Sequence, residues 1–205
     1  AELSLLLTIP CTVALVVIPS ALVSVLFERG AFVASDTQAT ALATAIYGLG
    51  LPAFVLQKLY QPVFFAREDT RSPFNFALVA LVVNAVVAIG LSQYVGFTAA
   101  AYGATCAGWA MLACLWWGAQ RFGPAASWDA QLRKRSVRIL LASLVMGTVV
   151  WITARALEPV LQMGGLRLLG LAVILLVAGC SYTLAGRLLG AFSLVQLRQM
   201  IRRAD

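Results

Sequence analysis

Lys58 is the residue in this sequence best able to do chemistry, because it is a lone cation inside an apolar run, with Gln57 and Gln61 beside it. A charge at a bilayer centre costs about 2.5–3.5 kcal/mol on insertion scales, and less near an interface. Two readings meet that cost. Either the stem carries the ammonium toward the interface, since Arg67 follows about two to three helical turns later, or the ammonium faces a wet cavity. A second group, Arg67-Glu68-Asp69-Thr70-Arg71, reads as a charge-paired loop, with Glu68 and Asp69 set against Arg67 and Arg71. Exposed pairs of this kind contribute about 0–1 kcal/mol each. Asn84 and Thr105 are isolated polar residues in apolar runs. They fit hydrogen bonds between membrane helices, worth about 0.6–2 kcal/mol.

The remaining polar residues exclude more than they offer. All eight carboxylates (Glu2, Glu28, Asp36, Glu68, Asp69, Asp129, Glu158, Asp205) fall at the ends of apolar runs or between them. None is placed for acid–base work or a proton relay inside a membrane. The chain has no histidine, which removes His-dependent nucleophiles and His-ligated metals. No phosphate-cradling glycine loop or dinucleotide fingerprint is present. No catalytic residue, metal or cofactor is expected. Cys11, Cys106, Cys114 and Cys180 lie in hydrophobic runs without CxxC spacing and are expected to be small buried hydrophobes.

The elements that must position these residues are membrane helices. A mean hydropathy of +0.91, with 61% hydrophobic and 11% charged residues, lies far from soluble composition. From Ser72 to Gln120 there is no charged residue at all. The fold class is therefore an all-α polytopic membrane protein, and six transmembrane helices are expected over residues 3–27, 40–65, 74–91, 98–119, 139–157 and 168–186. Pro10 and Pro19 interrupt the first. Pro52 and Pro62 bend the second, and the carbonyls they free need a neighbour or water. Ser35, Asp36 and Gln38 carry the signals of a helix start. Ser72 reads as an N-cap with Pro73 at the first helical position, and residues 90–98 as a turn. The run of small residues from Ala99 to Gly108 permits close helix packing.

Residues 121–138 suggest an amphipathic helix in the headgroup plane, with Arg133, Lys134, Arg135 and Arg138 on its polar side. Residues 188–205 form a basic amphipathic tail. Three parts follow: residues 1–122 with four spans, 123–187 with the amphipathic connection and two spans, and the tail. The sequence opens without an initiator Met or a signal-peptide pattern and is expected to be a piece of a longer chain. The net charge of +7 sits between the spans, which points to topology and lipid headgroups and not to nucleic acid. Arg67, Arg71, Arg121, Arg133, Lys134, Arg135, Arg138, Arg187, Arg198, Arg202 and Arg203 fall on one side. Only Arg29, Arg155 and Arg167 fall on the other. By the positive-inside bias both termini are cytoplasmic.

Three blocks carry a family resemblance: LFERGAF (residues 26–32), SDTQAT (35–40) and GLPAFVLQKLYQPVFFAREDTRSP (50–73). In content and spacing they closely resemble the lipid II flippase family (MurJ/MviN), of the multidrug/oligosaccharidyl-lipid/polysaccharide exporter superfamily. The resemblance implies that the chain is the C-terminal part of a MATE-like fourteen-helix transporter in the bacterial cytoplasmic (inner) membrane. Its first four spans would belong to the second lobe, and residues 139–186 would be a lipid-facing helix pair, less tightly tied to the rest. It implies lipid II, the undecaprenyl-pyrophosphate-linked peptidoglycan precursor, as cargo moved by alternating access, with membrane lipids and a missing N-terminal half of the same protein as partners. Lys58 matches a commonly basic position and is the candidate for headgroup contact, with Gln57 and Gln61 nearby. Glu28, Arg29, Gly30, Pro52, Arg67, Glu68, Asp69, Thr70 and Pro73 are the family-motif residues, with a hinge role for Arg67–Arg71. Asn84 and Thr105 stand where a cation site is expected, although Ala88, one turn on, supplies no carboxylate to it. Two alternatives stay open: an exporter of another polyprenyl-linked glycan or of drugs, and a non-transporting scaffold for cell-wall assembly.

Overall fold

The structure, a computed structural model, describes residues 2–28, 34–122, 130–162 and 166–190. Among these residues it is all helical, without a strand. The first expected span is two helices, α1 (Glu2–Val17) and α2 (Pro19–Phe27), bent by 79°. Pro19 brings no backbone N–H, and its ring pushes the preceding residue out of the helical region. Ile18 accordingly sits at φ −124°, ψ 39°. Pro10 leaves α1 intact.

Helix α3 (Ala34–Phe65) runs unbroken for 32 residues through Pro52 and Pro62, with Asp36 in its first turn. Pro52 leaves the Gly48 carbonyl without its helical donor. The carbonyls on either side are held from the neighbouring helix α5 (Ala99–Ala119): Thr105 Oγ1 donates to Ile46 O at 2.9 Å, and Trp109 Nε1 to Leu49 O at 3.1 Å. In return Gln57 Nε2 donates to Gly108 O at 2.7 Å. This polar seam ties α3 to α5 on both sides of the proline, beside the freed Gly48 carbonyl.

Helix α4 (Arg71–Val95) and α5 form an antiparallel hairpin. The turn is confined to Gly96–Thr98, where Gly96 takes φ +59°. Gly90 remains inside α4, so the helix is longer than the sequence suggests. The glycines of α5 face inward. Gly103 packs on Asn84 and Ala88, Gly108 lies under the Phe54 ring, and Gly118 lies under Phe76 and Phe64.

Helix α6 (Ala130–Ala156) carries the basic stretch as its own first turns. No proline or glycine stands between Ala130 and Ile139 to stop the helix. The part from Ala130 is thus continuous with the span and is not a separate surface helix; residues 123–129 lie outside the described residues. A short α7 (Glu158–Gln162) and then α8 (Arg167–Leu188) follow. Of the expected basic tail over residues 188–205, Leu188 ends α8, and the part from residue 191 is outside the described residues.

The helices pack as a row: α4 on α5, α5 on α3, α3 on α1, α1 on α6, and α6 on α8. The C-terminal pair is not a loose appendage. The largest buried cluster joins Ile18 to Ala142, Met146 and Val150 of α6 and to Ile174, Ala178 and Tyr182 of α8. Gly147 admits Val13 of α1, and the Tyr182 hydroxyl donates to Leu6 O at 2.7 Å.

Among the described residues four stretches are long and apolar enough to cross a membrane, or five if the bent α1–α2 pair is one span. One of the four, Arg71–Phe122, is the α4–α5 hairpin. Outward faces are apolar, with Leu81, Val86 and Ile89 on α4 and Leu169 and Leu176 on α8 exposed. The cysteines follow that pattern rather than the expected burial. Cys11, Cys106 and Cys180 are exposed and Cys114 is half-buried, because the apolar runs face outward as well as inward.

Candidate functional site

The charged motif at the end of α3 is built as a clasp. Asp69 N–H donates to Phe64 O at 3.1 Å and Glu68 N–H to Phe65 O at 3.0 Å. These two bonds close the helix in a Schellman turn, whose left-handed position usually takes glycine. Glu68 occupies it with φ +57°. A non-glycine residue there costs roughly 1–2 kcal/mol.

The next helix starts on Asp69. Its Oδ1 accepts the Ser72 N–H at 3.0 Å, capping α4, while Thr70 at the helix boundary gives no side-chain cap. The expected cap by Ser72 is replaced for a physical reason. A carboxylate is the stronger acceptor, and the Ser72 hydroxyl is engaged by Arg121 at 2.7 Å. Arg71, not Pro73, is the first residue of α4, and Pro73 is buried in its first turn.

Asp69 does not pair with its neighbours Arg67 or Arg71 among the described residues. Arg121, in the short 3-10 turn Gln120–Phe122 just past α5, holds its Oδ2 at 2.5 Å. Beneath the ion pair lies an aromatic cluster. The fully buried Phe64 meets Phe76 and Phe122 edge to face at 5.9 and 5.2 Å. The Arg67 guanidinium lies 4.4 Å from the Phe122 ring centre, and Arg121 5.0 Å from it. The clasp therefore ties three helices, α3, α4 and α5, at one end. Sequence reasoning missed Arg121 as its keystone. The signal was present: it is the first charge after the uncharged run from Ser72 to Gln120.

The hydrogen bonds from Ser72, backbone first and hydroxyl second, together with Arg121 hold the Asp69 carboxyl below its ordinary value of 3.8, against a smaller opposing desolvation. A lowered carboxylate pKa stabilises the fold above the ordinary value, and that contribution is lost as pH falls through the folded-state pKa. The expected result is a fall in melting temperature below pH 3.8 in the parent that is smaller in Asp69→Asn. Parallel acid melts of the two proteins check it; identical pH profiles would contradict the clasp.

Lys58 projects from α3 on a face that no other described helix covers. Pro62 and Phe65, in the next two turns of the same stripe, are exposed as well. It makes no hydrogen bond or ion pair among the described residues. Gln61 is half-buried, whereas Gln57 is turned to α5 and spent on Gly108 O. Pro52 lies in the seam described above. Asn84 and Thr105 have different partners: Asn84 packs on Gly103, and Thr105 donates to Ile46 of α3. Glu28 accepts a hydrogen bond from Thr37 Oγ1 at 3.2 Å and lies 4.0 Å from Arg167 Nη1, tying α2 to α3 and α8. Arg29 and Gly30 are outside the described residues. Among the described residues no His/Cys/Asp/Glu group could hold a metal ion.

The chain and its fold have known counterparts. The family model for lipid II flippase MurJ matches residues 1–185. The chain belongs to the lipid II flippase MurJ family. Its MurJ relatives include a probable lipid II flippase MurJ of Rhizobium tropici, 36% identical over 98% of this chain, and one of Rhizobium meliloti, 34% identical over 98%. The chain spans 38% of the length of each of these MurJ proteins. A solved lipid II flippase MurJ, in an inward closed conformation, shares the fold with a TM-score of 0.72 at 22% identity, covering 91% of this chain and 37% of that one. The MurJ-like blocks of the sequence therefore sit in two places: the clasp and Lys58 face on α3, and the Glu28 junction of α2 with α3 and α8.

Proposed function

We propose that this chain is the C-terminal part of a lipid II flippase of the bacterial inner membrane, a transporter and not an enzyme. The cargo is the undecaprenyl-pyrophosphate-linked precursor, and the remaining spans of a fourteen-helix, MATE-like molecule lie in the rest of the protein. Taking α1 with α2 as one span and the arms of the hairpin separately gives six: α1–α2, α3, α4, α5, α6 and α8. Residues 1–122 then belong to a transporter lobe, 123–187 carry the C-terminal pair, and 188–205 are a tail. With six spans and the skewed arginines, both ends are cytoplasmic, as is the clasp.

The observation that carries this reading is Lys58. Its cation lies on an uncovered apolar face, roughly 13 Å along α3 from Arg67, and a four-carbon stem bridges only about half of that. Facing a confined aqueous cavity, the ammonium attracts a pyrophosphate more strongly than it would in bulk water. A lipid-linked sugar–peptide needs such replacements for the hydration it loses in crossing. The clasp holds α3 and α4 in register at the cytoplasmic mouth, and Asn84 with Thr105 remains the position proposed for a coupling cation. The full-length gene should restore growth to cells depleted of their own lipid II flippase. No rescue at normal membrane levels would remove the reading.

A further inference from the structure

A second charged site lies away from Lys58, between the broken first span and the C-terminal pair. It is a cavity of about 510 Å³ lined by Glu28, Thr37, Trp151, Arg155, Glu158 and Arg167, among others. Its charges are poorly matched to one another. Glu28 and Arg167 approach only to 4.0 Å, and the Arg167 Nε is buried with no acceptor among the described residues. Arg155 is exposed and lies 5.4 Å from the Trp151 ring, while Glu158 has no ion pair among the described residues. Among the described residues two guanidiniums and two carboxylates line the cavity, with a formal sum of zero. A pyrophosphate would meet as many like charges as opposite ones, whereas a headgroup with one phosphate and one ammonium finds partners for both.

Beside the cavity an apolar groove of about 420 Å³ runs between α1 and α6, lined by Val13, Val17, Leu144, Gly147 and Trp151. Val17 and Trp151 line both spaces. A charged cavity continuous with an apolar groove on a membrane helix pair fits an amphiphile. We propose that this is a binding site for a zwitterionic phospholipid, its phosphate held by Arg155 and Arg167, its ammonium by Glu28 and Glu158, and one acyl chain lying along the groove. The proposal rests on the chain being embedded in a membrane and not on its transporting anything, so it can fail while the flippase reading stands, and the reverse.

The test is native mass spectrometry on the full-length protein in detergent, titrated with three probes: dioctanoyl phosphatidylethanolamine, dioctanoyl phosphatidylglycerol, and free phosphoethanolamine. Phosphatidylethanolamine should saturate one site. Phosphatidylglycerol, lacking the ammonium, should bind about tenfold more weakly, and the free headgroup not at all in the same range. Arg155→Gln and Glu158→Gln change exposed side chains, so they should keep the parent's melting temperature while each weakens phosphatidylethanolamine about tenfold. Equal binding of the two lipids, unchanged affinity in both variants, or free headgroup binding as tight as the lipid's would each overturn the proposal.

Discussion

Lys58→Met in the full-length protein is expected to abolish or severely impair lipid II transport at normal membrane levels, and Lys58→Arg to retain it. Methionine keeps an unbranched apolar stem and removes only the charge, so packing is conserved. Arginine keeps the charge and changes its hydrogen-bonding geometry. Were Lys58 only reaching for the interface, both substitutions would be nearly silent, because the stem would supply what matters. Its exposure beside Pro62 and Phe65 makes it reachable from the uncovered side of α3. Growth of flippase-depleted cells carrying each variant, with membrane levels measured in the same cells, separates the two cases. Normal growth with Lys58→Met would take this residue out of the substrate path.

The second large effect is on stability. A methyl group at Gly103 would lie 2.5 Å from the Asn84 side-chain oxygen, 2.9 Å from the Asn84 carbonyl oxygen and 3.0 Å from Ala88 Cβ. The side chain of Asn84 can rotate away, but its backbone cannot, so α4 and α5 must separate. Overpacking of this kind costs about 1–3 kcal/mol, and Gly103→Val costs more than Gly103→Ala. Gly90 in the same hairpin supplies the control, since nothing lies within 4 Å of a methyl group there. Gly90→Ala should be neutral or stabilising by up to about 1 kcal/mol, through helix propensity alone. Thermal unfolding in detergent distinguishes them. Equal melting temperatures for Gly103→Ala and Gly90→Ala would contradict the close approach of the two helices.

The positions of the helices were largely legible in the sequence, because apolar length and polar punctuation are local signals. The run of small residues in α5 was legible for the same reason, and Gly103, Gly108 and Gly118 do let side chains of α3 and α4 approach closely. What could not be read was pairing over distance. Asp69 looked committed to Arg67 and Arg71, yet it meets Arg121, 52 residues on. Glu68 in a left-handed turn carries no mark in the sequence, since glycine is the residue that announces that conformation. The 79° break at Ile18 was visible only as a proline, which membrane helices tolerate as often as they yield to it. Burial was the least legible property. In a chain whose lipid-facing and core-facing residues are both apolar, hydrophobicity does not separate Cys11 or Cys180, which are exposed, from Ile174, which is fully buried.

The central claim is that Lys58 lines the path of a lipid II flippase. Purified full-length protein in sealed vesicles containing fluorescently labelled lipid II tests it, with a membrane-impermeant quencher added outside. The account predicts that the parent and Lys58→Arg expose the inner-leaflet lipid to the quencher over time, while Lys58→Met leaves about half of the fluorescence protected, as protein-free vesicles do. Protection by the parent equal to that of protein-free vesicles, or loss of protection with Lys58→Met as fast as with the parent, would contradict it.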